Sequence, residues 1–185
     1  MVVHADEACL GNGRDGATPG GAGGLVEAVR PSSGAIERFD YFLSEPDTTN
    51  NRMAIRSAIA ALELIGARGK FPDLLFVSDS EYLVKGMNSY LRNWVRRSWK
   101  NVKNPDLWQQ LAAASSPFAG RIEWQWVRGH NKHVKNEYAD FLATRAAKDQ
   151  HQSGGLVPSV FLEWLADRQA KGKYAEYDPD GELTT

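Results

Sequence analysis

The chain has 185 residues, 42% of them hydrophobic, a formal net charge of −1 and a single cysteine, Cys9. That length suits one domain with a real core and a terminal extension, and no apolar run approaches the roughly 18 residues of a membrane span. Near-neutral charge excludes an overall basic polyanion binder, so any nucleic-acid surface must come from local clustering of Lys and Arg. One thiol excludes an intrachain disulfide, and Met1 to Asp6 lack the basic end and apolar core of a signal peptide, so a cytoplasmic monomer is expected.

Met1 to Ala8 reads as a short strand, and Gly11 to Gly24 follows with seven glycines. Within it Gly11-Asn12-Gly13-Arg14-Asp15-Gly16 matches G-x-G-x-x-G. A dinucleotide site needs a helix opening at the last glycine, whereas Thr18-Pro19-Gly20-Gly21 breaks helix, so a wide turn into a strand at Leu25 to Val29 is the better reading. Ala35 to Leu43 gives a third strand, ended by Ser44-Glu45-Pro46-Asp47. From Asn51 to about Arg68 the residues Ile55, Ala58, Ile59, Leu62 and Ile65 recur at three and four, which predicts a buried helical stripe.

Leu74 to Val77 is a continuous apolar run of the kind found in central strands, and it stops at Ser78-Asp79-Ser80. Glu81 to Leu91 reads as helix. Arg92 to Lys103 is a basic segment bearing Trp94 and Trp99, and Asn104-Pro105 caps a further helix through Leu111. Arg121 to Arg128 alternates as a half-buried strand, the loop Gly129-His130-Asn131-Lys132-His133 follows, and a helix runs from about Lys135 to Lys148. This order predicts an α/β fold with a five-stranded mixed sheet, its first three strands antiparallel, flanked by helices. The domain is expected over 1–149, and 150–185 is expected to be a C-terminal extension with one helix within Val157 to Ala170 and a loose acidic end.

Three aspartates stand out by position: Asp6 on the first strand, Asp79 at the end of the fourth, and Asp140 ten residues after His130. Carboxylates that converge can hold hard divalent cations, which demand oxygen ligands. Thr48-Thr49-Asn50-Asn51 puts four hydrogen-bonding side chains at a helix N-terminus, where free backbone N–H groups attract phosphate. Arg92, Arg96, Arg97, Lys100 and Lys103 crowd into a stretch without an acid, a second anion-binding candidate.

Taken together these stretches resemble type 1 ribonuclease H, the enzymes that cut the RNA strand of an RNA/DNA hybrid. Asp6-Glu7-Ala8-Cys9-Leu10-Gly11-Asn12 is similar to the family's Asp-Gly-Ser-Cys-Leu-Gly-Asn. Thr48 to Met53, Ser78-Asp79-Ser80-Glu81-Tyr82, and Trp126-Val127-Arg128-Gly129-His130 with Asn136, Glu137 and Asp140 match further motifs in the family's order. The resemblance covers residues 1 to about 148 and implies a ribonuclease H-like fold, two divalent ions (Mg²⁺ or Mn²⁺) and a hybrid substrate.

By the same resemblance Asp6, Asp79 and Asp140 are metal ligands, and His130 assists proton transfer or product release. Asn12, Asn50, Asn51 and Glu81 line the groove that tests for the 2′-hydroxyl, with Cys9 close by, and Thr48 at the loop's edge helps to bind a DNA phosphate. Trp94, Arg96, Arg97, Trp99 and Lys100 belong to a basic protrusion that grips the DNA strand. The family's usual catalytic Glu is replaced by Ala54, while Glu7 stands where a Gly is usual. Three readings stay open: Glu7 supplies the fourth carboxylate, three aspartates suffice, or Ala54 was introduced to silence the enzyme. Beside the nuclease stand two other functions, a non-catalytic hybrid-binding module and an interaction scaffold.

Overall fold

In the computed structural model, which describes residues 1–11, 18–67, 69–129 and 133–181, alternation of apolar residues builds one mixed sheet. Its strands are β1 (Val2–Cys9), β2 (Gly20–Val29), β3 (Ile36–Glu45), β4 (Leu74–Ser78), β5 (Ile122–Trp126) and β6 (Val157–Pro158), in the spatial order β5-β4-β1-β2-β3-β6. β1 to β3 form an antiparallel meander, β4 and β5 join β1 in parallel, and β6 pairs antiparallel with β3. The sheet thus has six strands where five were expected. β6 has two residues, one of them a proline, too short for any periodicity to reveal.

Side chains alternate along β1, and this alternation fixes the site. Val3 and Ala5 enter a core shared with α1 (Asn50–Gly66) and α4 (Pro105–Ser115), through Ala54, Ile55, Ala58, Leu62, Trp108 and Leu111. His4 and Asp6 point to the other face, toward α5 (Val134–Asp149). There Leu25, Val134, Tyr138 and Leu142 make a second cluster with Phe161, Trp164 and Leu165 of α6 (Phe161–Ala170).

The glycine-rich stretch is not all turn. Gly20 to Gly24 is the first half of β2, and the glycines serve close packing. A Cβ on Gly21 would lie 2.2 Å from the Ala143 carbonyl oxygen, and one on Gly23 would lie 2.5 Å from Leu142 Cβ. Only bare backbone lets α5 approach this near. The helix expected over Glu81 to Leu91 is interrupted: α2 (Glu81–Lys85) passes through a π-helical turn at Gly86–Tyr90 into α3 (Leu91–Arg96). Gly86 lies against Trp108, where a Cβ would be 2.1 Å from the indole, so the wider turn lets the chain pass the ring.

The expected loose end is tied down as far as Gly181. Arg38 donates hydrogen bonds to the Pro179 carbonyl oxygen and the Asp180 carboxylate, and Gln169 Nε2 donates to the carbonyl oxygens of Tyr174 and Tyr177. Among the described residues no helix is long and apolar enough to cross a membrane.

Candidate active site

β1 and β4 run side by side with Ala5 opposite Ser78, so the next residue along each, Asp6 and Asp79, lies at the carboxyl end of the sheet. Asp6 is 7% exposed and accepts hydrogen bonds from the Glu7 backbone N–H at 2.7 Å and from Asn136 Nδ2 at 2.9 Å. Asn136 and Asp140 are four apart on α5 and share a face, so the helix that braces Asp6 also carries the third aspartate.

Glu7 completes a triangle. One carboxylate oxygen each from Asp6, Glu7 and Asp79 lies within 4.8 Å of the others. The two neighbours on β1 need not share a face. Asp6 faces α5 and Glu7 alternates to the face of Val3, Ala5 and α1; both lie just beyond Ala5, the last residue of β1 paired with β4, where an oxygen of each comes near Asp79. Asp140 lies outside the triangle, close enough for its charge to act on Asp6.

Burial, then the charges of Asp79 and Glu7, push the Asp6 carboxyl up to about 9. Burial and Asp79 push Glu7 up to about 8, against a hydrogen bond from Ser80. Three partly desolvated carboxylates this close repel one another unless protonated or bridged by a cation. The donors are all hard oxygens, so the cluster fits Mg²⁺ or Mn²⁺ and not a thiolate- or imidazole-seeking metal. Gly129 presses on the same place: a Cβ there would lie 2.3 Å from Asp79 Oδ2.

On the α1 side, Cys9 and Thr48 converge on Gly20, where a Cβ would meet Thr48 Cγ2 at 2.2 Å and Cys9 Sγ at 3.1 Å. The Thr48 hydroxyl is buried without a hydrogen-bond partner, and its backbone N–H donates to the Thr18 carbonyl oxygen at 3.0 Å. Thr49 caps α1, accepting from the Arg52 N–H, which leaves Asn50 and Asn51 exposed in the first turn. Arg52 itself turns away to Asp106 at 3.1 Å and joins α1 to α4. Glu81 pairs with Lys85 at 2.6 Å on the surface.

In the basic segment Arg92, Arg96, Arg97 and Lys100 are exposed, and Trp94 packs at a tilt against Trp108 with ring centroids 4.9 Å apart. Trp94 and Trp99 are partly buried and both pack on the core, which anchors the segment. His130 and Asn12 lie outside the described residues. Asn136 is the contact that sequence reasoning missed; its place in the motif around His130 and Asp140 was the available signal.

The RNase H family profile matches residues 1–148. A ribonuclease H of Sulfurovum sp. is 41% identical over 149 residues, 80% of this chain and 90% of that protein. One of Thiobacillus denitrificans is 43% identical over 158 residues, 82% of this chain and 96% of that protein. Among solved structures, LC9-RNase H1, described as a type 1 RNase H with the type 2 active-site motif, is similar at 50% identity and a TM-score of 0.83, covering 89% of this chain and 80% of that one. With its carboxylates gathered at the carboxyl ends of β1 and β4 and its motifs in order, the chain belongs to the ribonuclease H family.

Proposed function

We propose that this protein is an endonuclease that hydrolyses the RNA strand of RNA/DNA hybrids, with two Mg²⁺ or Mn²⁺ ions held by Asp6, Glu7, Asp79 and Asp140. The observation that carries the reading is the Asp6–Glu7–Asp79 triangle, whose ligand atoms lie within 4.8 Å of one another. A buried Ala54 on α1 leaves the helix side of the site without a carboxylate, and Glu7 projects on that same side from β1. The fourth ligand has moved from helix to strand and still enters from the same face. A relative at 50% identity is itself described as carrying the other ribonuclease H type's motif, which supports a departure from the usual carboxylate set in this branch.

When bound, paired divalent cations supply a nucleophilic water and neutralise the leaving oxygen. The chain's own residues hold and orient. Asn136 keeps Asp6 turned into the site, Ser80 steadies Glu7, and the backbone at Gly129 confines Asp79. Asn50, Asn51 and Glu81, with Cys9 close by, line the groove that senses the 2′-hydroxyl, while Thr48 and the cations from Arg92 to Lys103 hold phosphates of the DNA strand. His130 and Asn12 keep their family roles in this reading. A cytoplasmic monomer is part of it; the single thiol, with no intrachain partner, fits a reducing compartment.

Cleavage of an end-labelled hybrid with added Mg²⁺ or Mn²⁺, beside an RNA duplex as control, tests the activity. Binding without cleavage would identify a hybrid-binding module instead. Glu7→Gln should lower kcat by about 100-fold or more, and unchanged turnover would remove Glu7 from the ligand set. In a Glu7→Gly background, Ala54→Glu should restore activity.

A further inference from the structure

α5 does not end at the carboxylates. Along β1 the register runs from Asp6 opposite Gly23 to Cys9 opposite Gly20, and along α5 the backbone nearest to Gly23 is Leu142 and Ala143, nearest to Gly21 Ala143 and Ala147. The second half of the helix therefore advances toward the end of the sheet where Thr48 meets Gly20. On its outer face the C-terminal segment lies alongside, and between them opens a groove of about 320 Å³ with Asp140 in its wall.

The groove is lined by cations from both sides: Arg145 and Lys148 of α5, and Arg168 and Lys173 of the C-terminal segment. Two carboxylates, Glu137 and Asp140, also line it. Glu137 accepts a hydrogen bond from the Tyr174 hydroxyl and Asp140 is a proposed metal ligand; against these two carboxylates stand four cations, so the lining keeps a positive balance. Arg168 lies over the Trp164 ring at 5.4 Å and Arg145 sits 3.8 Å from Asp149. Lys148 and Lys173 are exposed. Lys173 is held at the rim because its backbone N–H donates to the Arg168 carbonyl oxygen at 2.9 Å and the Trp164 and Tyr174 rings stack beside it at 6.0 Å.

We propose that this groove is a phosphate subsite for the RNA strand, in which the C-terminal segment extends the grip on the hybrid beyond the site of cleavage. The proposal rests on the nuclease reading. Thr144 and Lys148 stand one and two turns from Asp140, about 6 and 12 Å along the axis. All three line the groove, so a strand with its scissile phosphate at Asp140 that runs along α5 would meet them within its next nucleotides. Fixed cations at that distance bind backbone phosphate without reading sequence.

Wild-type hybrid cleavage, measured first, tests the nuclease reading by itself; a silent protein would be assayed by hybrid Kd in place of KM. Lys148→Gln and Lys173→Gln should each raise KM by about 3- to 10-fold near 0.1 M salt and flatten the log–log salt dependence by about one unit. Lys171→Gln, whose ammonium pairs with Asp167 and is not part of the groove lining, should leave both unchanged. A neutral methylphosphonate placed one or two nucleotides from the cleaved bond of the RNA strand should weaken wild type and cost the lysine variants little more. Wild-type KM and salt slope in both lysine variants would overturn the subsite. So would coupling to DNA-strand methylphosphonates alone.

Discussion

Asn136 illustrates how a neutral side chain can decide the behaviour of a charged one. The residue is 2% exposed and its amide donates to a carboxylate 130 residues away in the sequence, so its place in the motif marks the residue but not its partner. Asn136→Ala should weaken divalent-ion affinity by about 10- to 100-fold, read by metal titration of cleavage, because it frees Asp6 to rotate. Asp6 and Asp79 were legible as carboxylates at strand ends within known motifs. Glu7 was legible as a substitution, but adjacency on a strand argues against a shared ligand set; the approach of one oxygen from each of Asp6, Glu7 and Asp79 to within 4.8 Å of the others answers that objection. The same crowding predicts a pH dependence. In the metal-free protein Asp6 and Glu7 rise from 3.8 and 4.5 to about 9 and about 8. The folded state therefore holds protons that the unfolded state has released, and stability falls as pH climbs from about 4 through about 9. Thermal unfolding should show a Tm that drops across this window without metal. Mg²⁺ should raise Tm more at pH 8 than at pH 5, and Asp6→Asn should flatten the slope.

Among the elements, β2 and α5 matter most to the geometry of the site, and their relation was hidden by composition. Seven glycines between Gly11 and Gly24 read as a turn because glycine favours turns. Four of them instead lie in a strand, Gly20, Gly21, Gly23 and Gly24. Two of these lie directly beneath α5, where a methyl group would overlap backbone atoms that cannot rotate away. Gly21→Ala should cost about 1–3 kcal/mol of stability through overpacking, measured by urea unfolding. It should also reduce cleavage at temperatures where the protein stays folded, since lifting α5 moves Asn136 and Asp140 away from Asp6. The helices themselves were readable from three-and-four periodicity. The break at Gly86 was not, because its cause is the distant Trp108.

For the molecule as a whole, the C-terminal segment is part of the packing and not an appendage. Phe161 is fully buried against Tyr138, and Phe161→Ala should cost about 3–5 kcal/mol in chemical denaturation. Behind it lies a buried ion cluster in which Glu27 meets Lys135 at 2.8 Å and Arg38 at 2.8 Å. Arg38 reaches on to Pro179 and Asp180, so the charge network of the sheet extends into the tail. The amphipathic helix of the tail was legible; its partner surface was not, because residues such as Leu25 and Leu142 pair across the fold. The pairing of β6 with Phe39 and Asp40, together with Ser153 bonding to Phe42 and Ser159 to Arg38, also hides the outer rim of β3. Without residues 150–185 that ten-residue strand, with Phe39, Tyr41 and Phe42, would present open amides and carbonyls to any other chain. The tail thus covers both this edge and the apolar cluster around Leu25 and Tyr138, and a chain ending at 149 should self-associate in light scattering as concentration rises.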